Sequence, residues 1–241
     1  MQPHNDEPLS DATRNLLLQT SSASVSTVLF KRGLRKQWMQ GVSLMGGAPR
    51  KLVGPAFTLR YIPAREDIDV VAVFDHPDHP QRRAIEATPA GHVLVMDCRR
   101  DVTGASCGSV LVHRLAARGV AGLVSDGGLR DAADAVEFGM PLFTGGACSP
   151  TNISRHHAAE TQVPIGCAAV PVFPGDVIVG DGDGVVVIPR EIADEVAREA
   201  APMAQYEEFV HARIEEGRAL PGLYPANAET QAEFDAWLAR R

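Results

Sequence analysis

Gly119-Val-Ala-Gly-Leu-Val-Ser-Asp126-Gly-Gly-Leu-Arg130-Asp131-Ala-Ala-Asp134 reads as a buried strand, an acid, a glycine pair and an Arg-Asp pair opening a helix. Val120, Leu123 and Val124 suit a strand covered on both faces. On this reading Asp126 ends the strand, Gly127 and Gly128 make a sharp turn, and Arg130 and Asp131 stand where the next helix begins. In an α/β protein the ground just beyond the carboxyl end of a strand is where ligands usually bind.

The pattern continues on both sides. His92 to Asp97 is a short buried strand ending on an acid, and Ser109 to Arg118 reads as the helix leading into the strand before Asp126, a β-α-β alternation. Upstream, Ser10-Asp11 caps a helix through Leu16 to Leu18, and a second helical stretch covers Val25 to Lys31. Ala56 to Ile62 alternates as a strand closed by Pro63. Ile68 to Phe74 and Pro80 to Ala87 read as helical, with a loop between them. Downstream, strands are predicted at Pro141 to Thr144, Gly166 to Phe173, Val177 to Val179 and Val185 to Ile188, the last two forming a hairpin across Gly180-Asp-Gly-Asp-Gly184. Ile192 to Gly217 carries helical periodicity, interrupted by Pro221 and Pro225. Ala228 to Arg240 reads as a terminal helix whose Phe234 and Trp237 suit packing on a neighbouring subunit.

Composition narrows the function classes. A chain of 241 residues with 45% hydrophobic content supports one large core. A net charge of -7 argues against nucleic acid as a direct ligand, and Lys31 to Lys36 is a local basic run that reads as a solvated helix end. Cys98, Cys107, Cys148 and Cys167 show neither CxxC pairing nor dense spacing, so they read as reduced thiols. Cys107 and Cys148 read as small buried packing residues. No apolar run approaches a membrane span and no signal-peptide pattern opens the chain, so the expected location is cytoplasmic, without a membrane partner.

Three groups of residues are candidates for chemistry. Asp131 is either the N-cap of the helix that follows or the single carboxylate of a Mg²⁺-type ion that keeps several waters. Arg130 is disfavoured at a helix N-terminus, which points to an anionic partner such as a ligand carboxylate, or to a salt bridge with Asp97 or Asp126. Gly104 to Leu111 places small residues before a helix, leaving free N–H groups aimed at an anion. Together these would hold the carboxylate of a small 2-oxo acid while a cation meets its carbonyl oxygen, an arrangement that stabilises an enolate. Asp181-Gly-Asp-Gly184 lacks the ligand ladder of a calcium loop and reads as a tight turn. His156 and His157 diverge as neighbours and suit a surface or interface role.

The Gly119 to Asp131 block, then Phe138-Gly-Met-Pro-Leu-Phe143 and Pro174-Gly-Asp-Val-Ile-Val-Gly-Asp-Gly-Asp-Gly-Val-Val-Val-Ile-Pro189, resembles the RraA-like family, which contains 4-hydroxy-4-methyl-2-oxoglutarate aldolases and regulators of ribonuclease activity. The resemblance covers roughly Val25 to Ala197, estimated from the matching blocks. It divides the chain into an N-terminal extension over 1–24, an RraA-like α/β domain over 25–197 and a C-terminal helical tail over 198–241. It implies a swivelling β/β/α fold with helical extensions at both ends, a homotrimer or hexamer, and a site between subunits using Mg²⁺ or Mn²⁺. In the aldolases an Asp, a spacer of twenty residues and Arg-Asp mark the site. Arg130 and Asp131 match the pair, and Ser109 stands at the first position. The implied roles are Arg130 and Ser109 in catalysis, Gly108, Ser109, Val110, Leu111 and Arg130 in binding the substrate, and Asp131 on the metal. A serine hydroxyl carries no charge and is no base near neutral pH, so decarboxylation of an oxaloacetate-like acid is expected to outlast aldol cleavage. Asp97 or a carboxylate from another subunit is a substitute for the missing acid. The other branch of the resemblance implies a non-catalytic protein that binds and inhibits an endoribonuclease.

Overall fold

Long apolar runs with a period of two and both faces covered make the central strands of this chain, whose computed structural model describes residues 8–46 and 51–240. Four strands form a parallel core: β2 (Leu52–Pro63), β3 (Val93–Asp97), β5 (Gly122–Leu129) and β6 (Leu142–Ala147). β1 (Ser43–Leu44) pairs antiparallel with β6, and β4 (Ala105–Cys107) runs parallel to the far end of β5. β7 (His156–Thr161) and β8 (Val177–Asp181) pair antiparallel with the two halves of β2, and β9 (Gly184–Ile188) completes a hairpin with β8. A bridge from Trp38 to Val186 and the bond from Met39 N–H to Val185 O lead the chain from β9 into β1 on β6, so the sheet curls almost into a barrel.

Alternation along β3 shows how the core is divided. Leu94 and Met96 face Ile85, Val112 and Leu115 from the helices α3 (Pro80–Ala87) and α4 (Ser109–Ala117), whereas Val93 and Val95 face Val124, Phe143, Val185 and Val187 inside the curled sheet. A third cluster lies beneath α1 (Asp11–Leu18), α2 (Ser22–Lys31) and α6 (Ala193–Glu215), joining Leu17, Val25 and Leu29 to Val179, Val186 and Val196. The serines at 10 and 21 cap the first two helices, accepting from Thr13 N–H and Ser24 N–H. Arg32, in the basic run, clamps Glu195 and Glu199 of α6 at 2.7 and 2.5 Å. The fold is a mixed α/β domain with helices at both ends, as the sequence predicts.

Several local expectations are corrected. β5 does not stop at Asp126 but continues to Leu129, so Gly127 and Gly128 are strand residues rather than a turn. They are glycine because of close approach. A methyl on Gly127 would meet Cys98 Sγ at 2.7 Å, and one on Gly128 would meet Cys148 Sγ at 2.4 Å. Gly166 to Phe173 is not a strand. A 3₁₀ turn over Cys167–Ala169 and a single bridge from Ile165 to Val172 replace it, because Ala168 and Ala169 take positive φ. The expected helix from Ile68 shrinks to a 3₁₀ turn over Val71–Asp75. α7 (Ala228–Leu238) packs on its own chain through Phe234 and Trp237, which meet Phe209, while Trp237 and Leu238 stay partly exposed.

Asp176 sits at the start of the β8–β9 hairpin, 7% exposed, accepting from Phe173 N–H at 2.8 Å and Arg190 N–H at 3.2 Å. Burial pushes its carboxyl up to about 6 despite these bonds. A folded-state value above the unfolded one favours the protonated folded form, so this contribution to stability is full below about pH 4 and is lost as pH rises through about 6. The expected result is that wild type gains on the order of 2–3 kcal/mol relative to Asp176→Asn between pH 7 and pH 4, measured by urea unfolding of both proteins. A pH-independent difference would show that the carboxyl titrates normally.

Candidate functional site

β4 and β5 run side by side, and the residues that leave their carboxyl ends meet at one place. Arg130 N–H donates to Cys107 O at 3.1 Å, tying the end of β5 to the last residue of β4. One residue on, Gly108 is the N-cap of α4, with no side chain to satisfy the first amides. Ser109 and Val110 N–H find no acceptor in the described residues, as the first turn of a helix requires unless a cap or ligand supplies one.

Asp131 occupies the N-cap position of the short α5 (Ala132–Glu137) but does not cap it. Its backbone is left-handed, φ 53° and ψ 40°, and its side chain accepts no bond from the helix. A non-glycine residue in this region costs on the order of 1 kcal/mol and collects at functional sites. What the conformation achieves here is to turn the carboxylate away from α5 toward α4. Oδ2 lies 3.3 Å from Arg130 Nε and would be 2.9 Å from a methyl placed on Gly108. Arg130 therefore pairs with its neighbour and not with Asp97 or Asp126. Asp126 is 3% exposed and accepts from Cys98 N–H and Ala168 N–H, while Asp97 accepts from Arg99 N–H and Gly166 N–H. Desolvation raises the Asp126 carboxyl above its ordinary range, a structural role inside the sheet.

An open cavity of about 310 Å³ lies against this corner, lined by Gly108, Val110, Leu111, Arg130 and Asp131. Ser109, the remaining residue predicted for the site, heads α4 between them without lining the cavity. The other walls were not foreseen. Gln81 and Arg82 come from α3, Phe74 from the preceding 3₁₀ turn, and Thr151 and Asn152 from the loop before β7. Arg82 lies over the Phe74 ring at 4.8 Å. The Cys107 thiol, also on the wall, is pushed up to about 12 by burial and stays neutral, and Cys148 is half-buried rather than buried. The signal for these walls is absent from a single sequence, because each residue type is ordinary on its own element.

The histidine pair lies elsewhere. His156 is fully buried in β7, not at a surface, its Nε2 3.1 Å from Gly104 O and its Nδ1 3.1 Å from Arg99. His157 pairs with Asp69 at 2.8 Å. Among the described residues no group of three or more His, Cys, Asp or Glu side chains is placed to hold a metal ion, and no helix is long and apolar enough to cross a membrane.

The curled mixed sheet with helices at both ends is a fold of the aldolase/RraA type. The family model described as RraA-like, Aldolase/RraA, matches residues 9–187, and the chain belongs to the RraA-like family. It is 35% identical over 153 residues to a Halalkalibacterium halodurans protein provisionally named 4-hydroxy-4-methyl-2-oxoglutarate aldolase, covering 62% of this chain and 65% of that one. It is 28% identical to Legionella pneumophila DlpA over 88% of this chain and 33% of DlpA, so it spans less than two thirds of either relative. Among solved structures it is similar to Streptomyces coelicolor RraAS2, an unusual member of the RNase ES inhibitor RraA family, with TM-score 0.74, 30% identity, and 85% and 98% of the two chains covered.

Proposed function

We propose that the chain is a divalent-metal-dependent carbon–carbon lyase acting on pyruvate-type 2-oxo acids, decarboxylating an oxaloacetate-like acid or cleaving a 4-hydroxy-2-oxo acid. The observation that carries this reading is the left-handed Asp131, which gives up a helix cap to set its carboxylate beside Arg130 on the cavity wall. The donor set fits one kind of ion. With a single carboxylate at the corner and, among the described residues, no three-ligand group, the site suits a hydrated Mg²⁺ or Mn²⁺ rather than a caged zinc. Asp131 would hold it, and when bound it supplies an electron sink beside the ligand's carbonyl oxygen.

The remaining steps belong to the chain. The free amides at the start of α4 face anionic charge and take the ligand's carboxylate. Arg130 presents a planar cation to the oxygen that gains charge as the C3–C4 bond breaks. In decarboxylation the electron pair of that bond becomes the enolate of pyruvate, carbon dioxide leaves, and C3 then takes a proton. Aldol cleavage forms the same enolate but must also remove the hydroxyl proton from C4. Cys107 is neutral and, among the described residues, no carboxylate other than Asp131 lines the cavity, so decarboxylation is the easier reaction.

Purified protein with Mg²⁺ or Mn²⁺ is expected to release pyruvate from oxaloacetate above the metal-only background, and release from neither substrate by folded protein would end the lyase reading. The likeness to RraAS2 supports a second reading, inhibition of an endoribonuclease through protein contacts. Ribonuclease inhibition without pyruvate release would favour it.

Gly108→Ala tests the corner without replacing a charged group. At φ -127° alanine is unstrained, but its methyl would lie 2.9 Å from Asp131 Oδ2 and 3.0 Å from Arg130 Cγ. The expected result is a thermal midpoint close to that of wild type with affinity for oxalate, a mimic of the pyruvate enolate, reduced at least about tenfold by displacement of the pair. Unchanged oxalate binding would place the ligand elsewhere.

A further inference from the structure

A second cavity lies between α6, α7 and the loop that joins them, wholly past residue 187, where the match to the family model ends. It is open, about 270 Å³ in volume, and each of the three elements gives it an aromatic ring: Tyr206 of α6, Tyr224 of the loop and Phe234 of α7. The Tyr206 and Tyr224 planes are 15° apart with centroids at 6.3 Å, and Phe234 stands at 80° to Tyr206 with its centroid 5.1 Å away. Two near-parallel rings and one across them therefore line the cavity. Phe234 is held in place by Phe209 and Trp237, at 5.5 and 6.1 Å between centroids.

Charge on this wall is unbalanced. Glu207, half-buried, is the one charged side chain lining the cavity among the described residues, and no cation there pairs with it. Arg213 and Arg218, which flank the connecting loop, are engaged elsewhere, with Glu216 at 2.7 Å and Glu233 at 2.5 Å. Two donors of the wall are taken as well: Tyr206 O–H donates to Leu223 O, and Gln231 Nε2 donates to Asp235 Oδ1 at 2.9 Å. An anion entering here would meet Glu207 and gain no cation in return. A cation would meet the negative faces of aromatic rings and an unpaired carboxylate.

We infer that this cavity binds a small organic ammonium ion, with Tyr206, Tyr224 and Phe234 around the alkylated nitrogen and Glu207 balancing its charge. Alkyl groups on the nitrogen cover apolar ring surface, which a bare, strongly hydrated metal ion cannot do. The site shares no residue with the Arg130–Asp131 corner, so it stands or falls apart from the lyase reading.

Calorimetric titration of the intact protein with choline, and with 3,3-dimethylbutan-1-ol as its uncharged isostere, tests the site. Wild type is expected to bind choline about tenfold more tightly than the alcohol. Glu207→Gln should abolish that preference and leave the alcohol within about twofold of wild type. Tyr224→Leu, at a position 52% exposed, should weaken choline about tenfold and the alcohol far less, with an unchanged melting midpoint, and it stands in if the Glu207 variant unfolds. Equal affinity of wild type for the two probes would mean an apolar pocket without preference for a cation and would overturn the assignment. So would choline binding that both variants leave unchanged, which puts the cation elsewhere, an equal weakening of both probes by Glu207→Gln, or no saturable choline binding by folded wild type.

Discussion

Arg130→Lys is expected to lower kcat for oxaloacetate decarboxylation on the order of 100-fold, the scale seen when one preorganised donor to a developing oxyanion is removed. Charge is kept in this substitution, so the loss isolates geometry. A guanidinium engages Asp131 through Nε and still offers its two terminal nitrogens to a ligand, whereas an ammonium is a single point that must choose. The fold should hardly notice. The Arg130–Asp131 pair is two-fifths exposed on both sides and separated by 3.3 Å, a geometry worth under about 1 kcal/mol. The check is pyruvate release measured against the metal-only rate, with a melting curve on the same sample. An unchanged kcat removes Arg130 from the mechanism; a collapsed melting point would mean that its packing against Gly108 matters more than its charge.

The strands were legible because their burial is two-sided. Val93 to Met96 and Leu123 to Val124 are continuous apolar runs, and such runs have few other uses in a chain of this length. Where legibility failed, packing had overridden local chemistry. Gly127-Gly128 has the signature of a turn, yet Cys98 and Cys148 press so close that only glycine allows the strand to pass. β7 is not legible because two adjacent histidines suit a surface or an interface, whereas one ring is buried against Gly104 and the other points to Asp69. Residues 166–173 looked like a strand from composition, but left-handed alanines, held in part by Asp126 accepting from Ala168 N–H, bend them into a turn.

Half of the cavity was readable and half was not. Gly108, Val110, Leu111, Arg130 and Asp131 lie in two sequence blocks that the strand order brings side by side. Even there, the choice between cap and free carboxylate needed the backbone angles of Asp131, which no sequence pattern prints. Gln81, Arg82 and Asn152 approach from α3 and a loop, and their relation to the corner exists only after β7 has folded against β2 and set that loop in place.

Ser109→Asp is expected to raise the ratio of aldol cleavage to decarboxylation about 100-fold, the lower end of what a positioned base contributes. On the proposed mechanism both reactions pass through the same enolate, so the roles proposed for Arg130 and the α4 amides cancel in the ratio. What differs is the proton on the C4 hydroxyl, which a carboxylate takes and a serine does not. Position 109 is the first residue of α4, where an acid is also favoured by the helix dipole, so the substitution should be neutral or mildly stabilising. Ser109 does not itself line the cavity, but the residues on either side of it do, and the longer acidic side chain starts from the same Cα. The measurement is paired: pyruvate release from 4-hydroxy-2-oxoglutarate and from oxaloacetate by one preparation of each protein. An unchanged ratio would mean that the proton leaves by another route, through a carboxylate of a neighbouring copy or through water. A fall in both rates would mean that the new charge draws Arg130 away from the ligand.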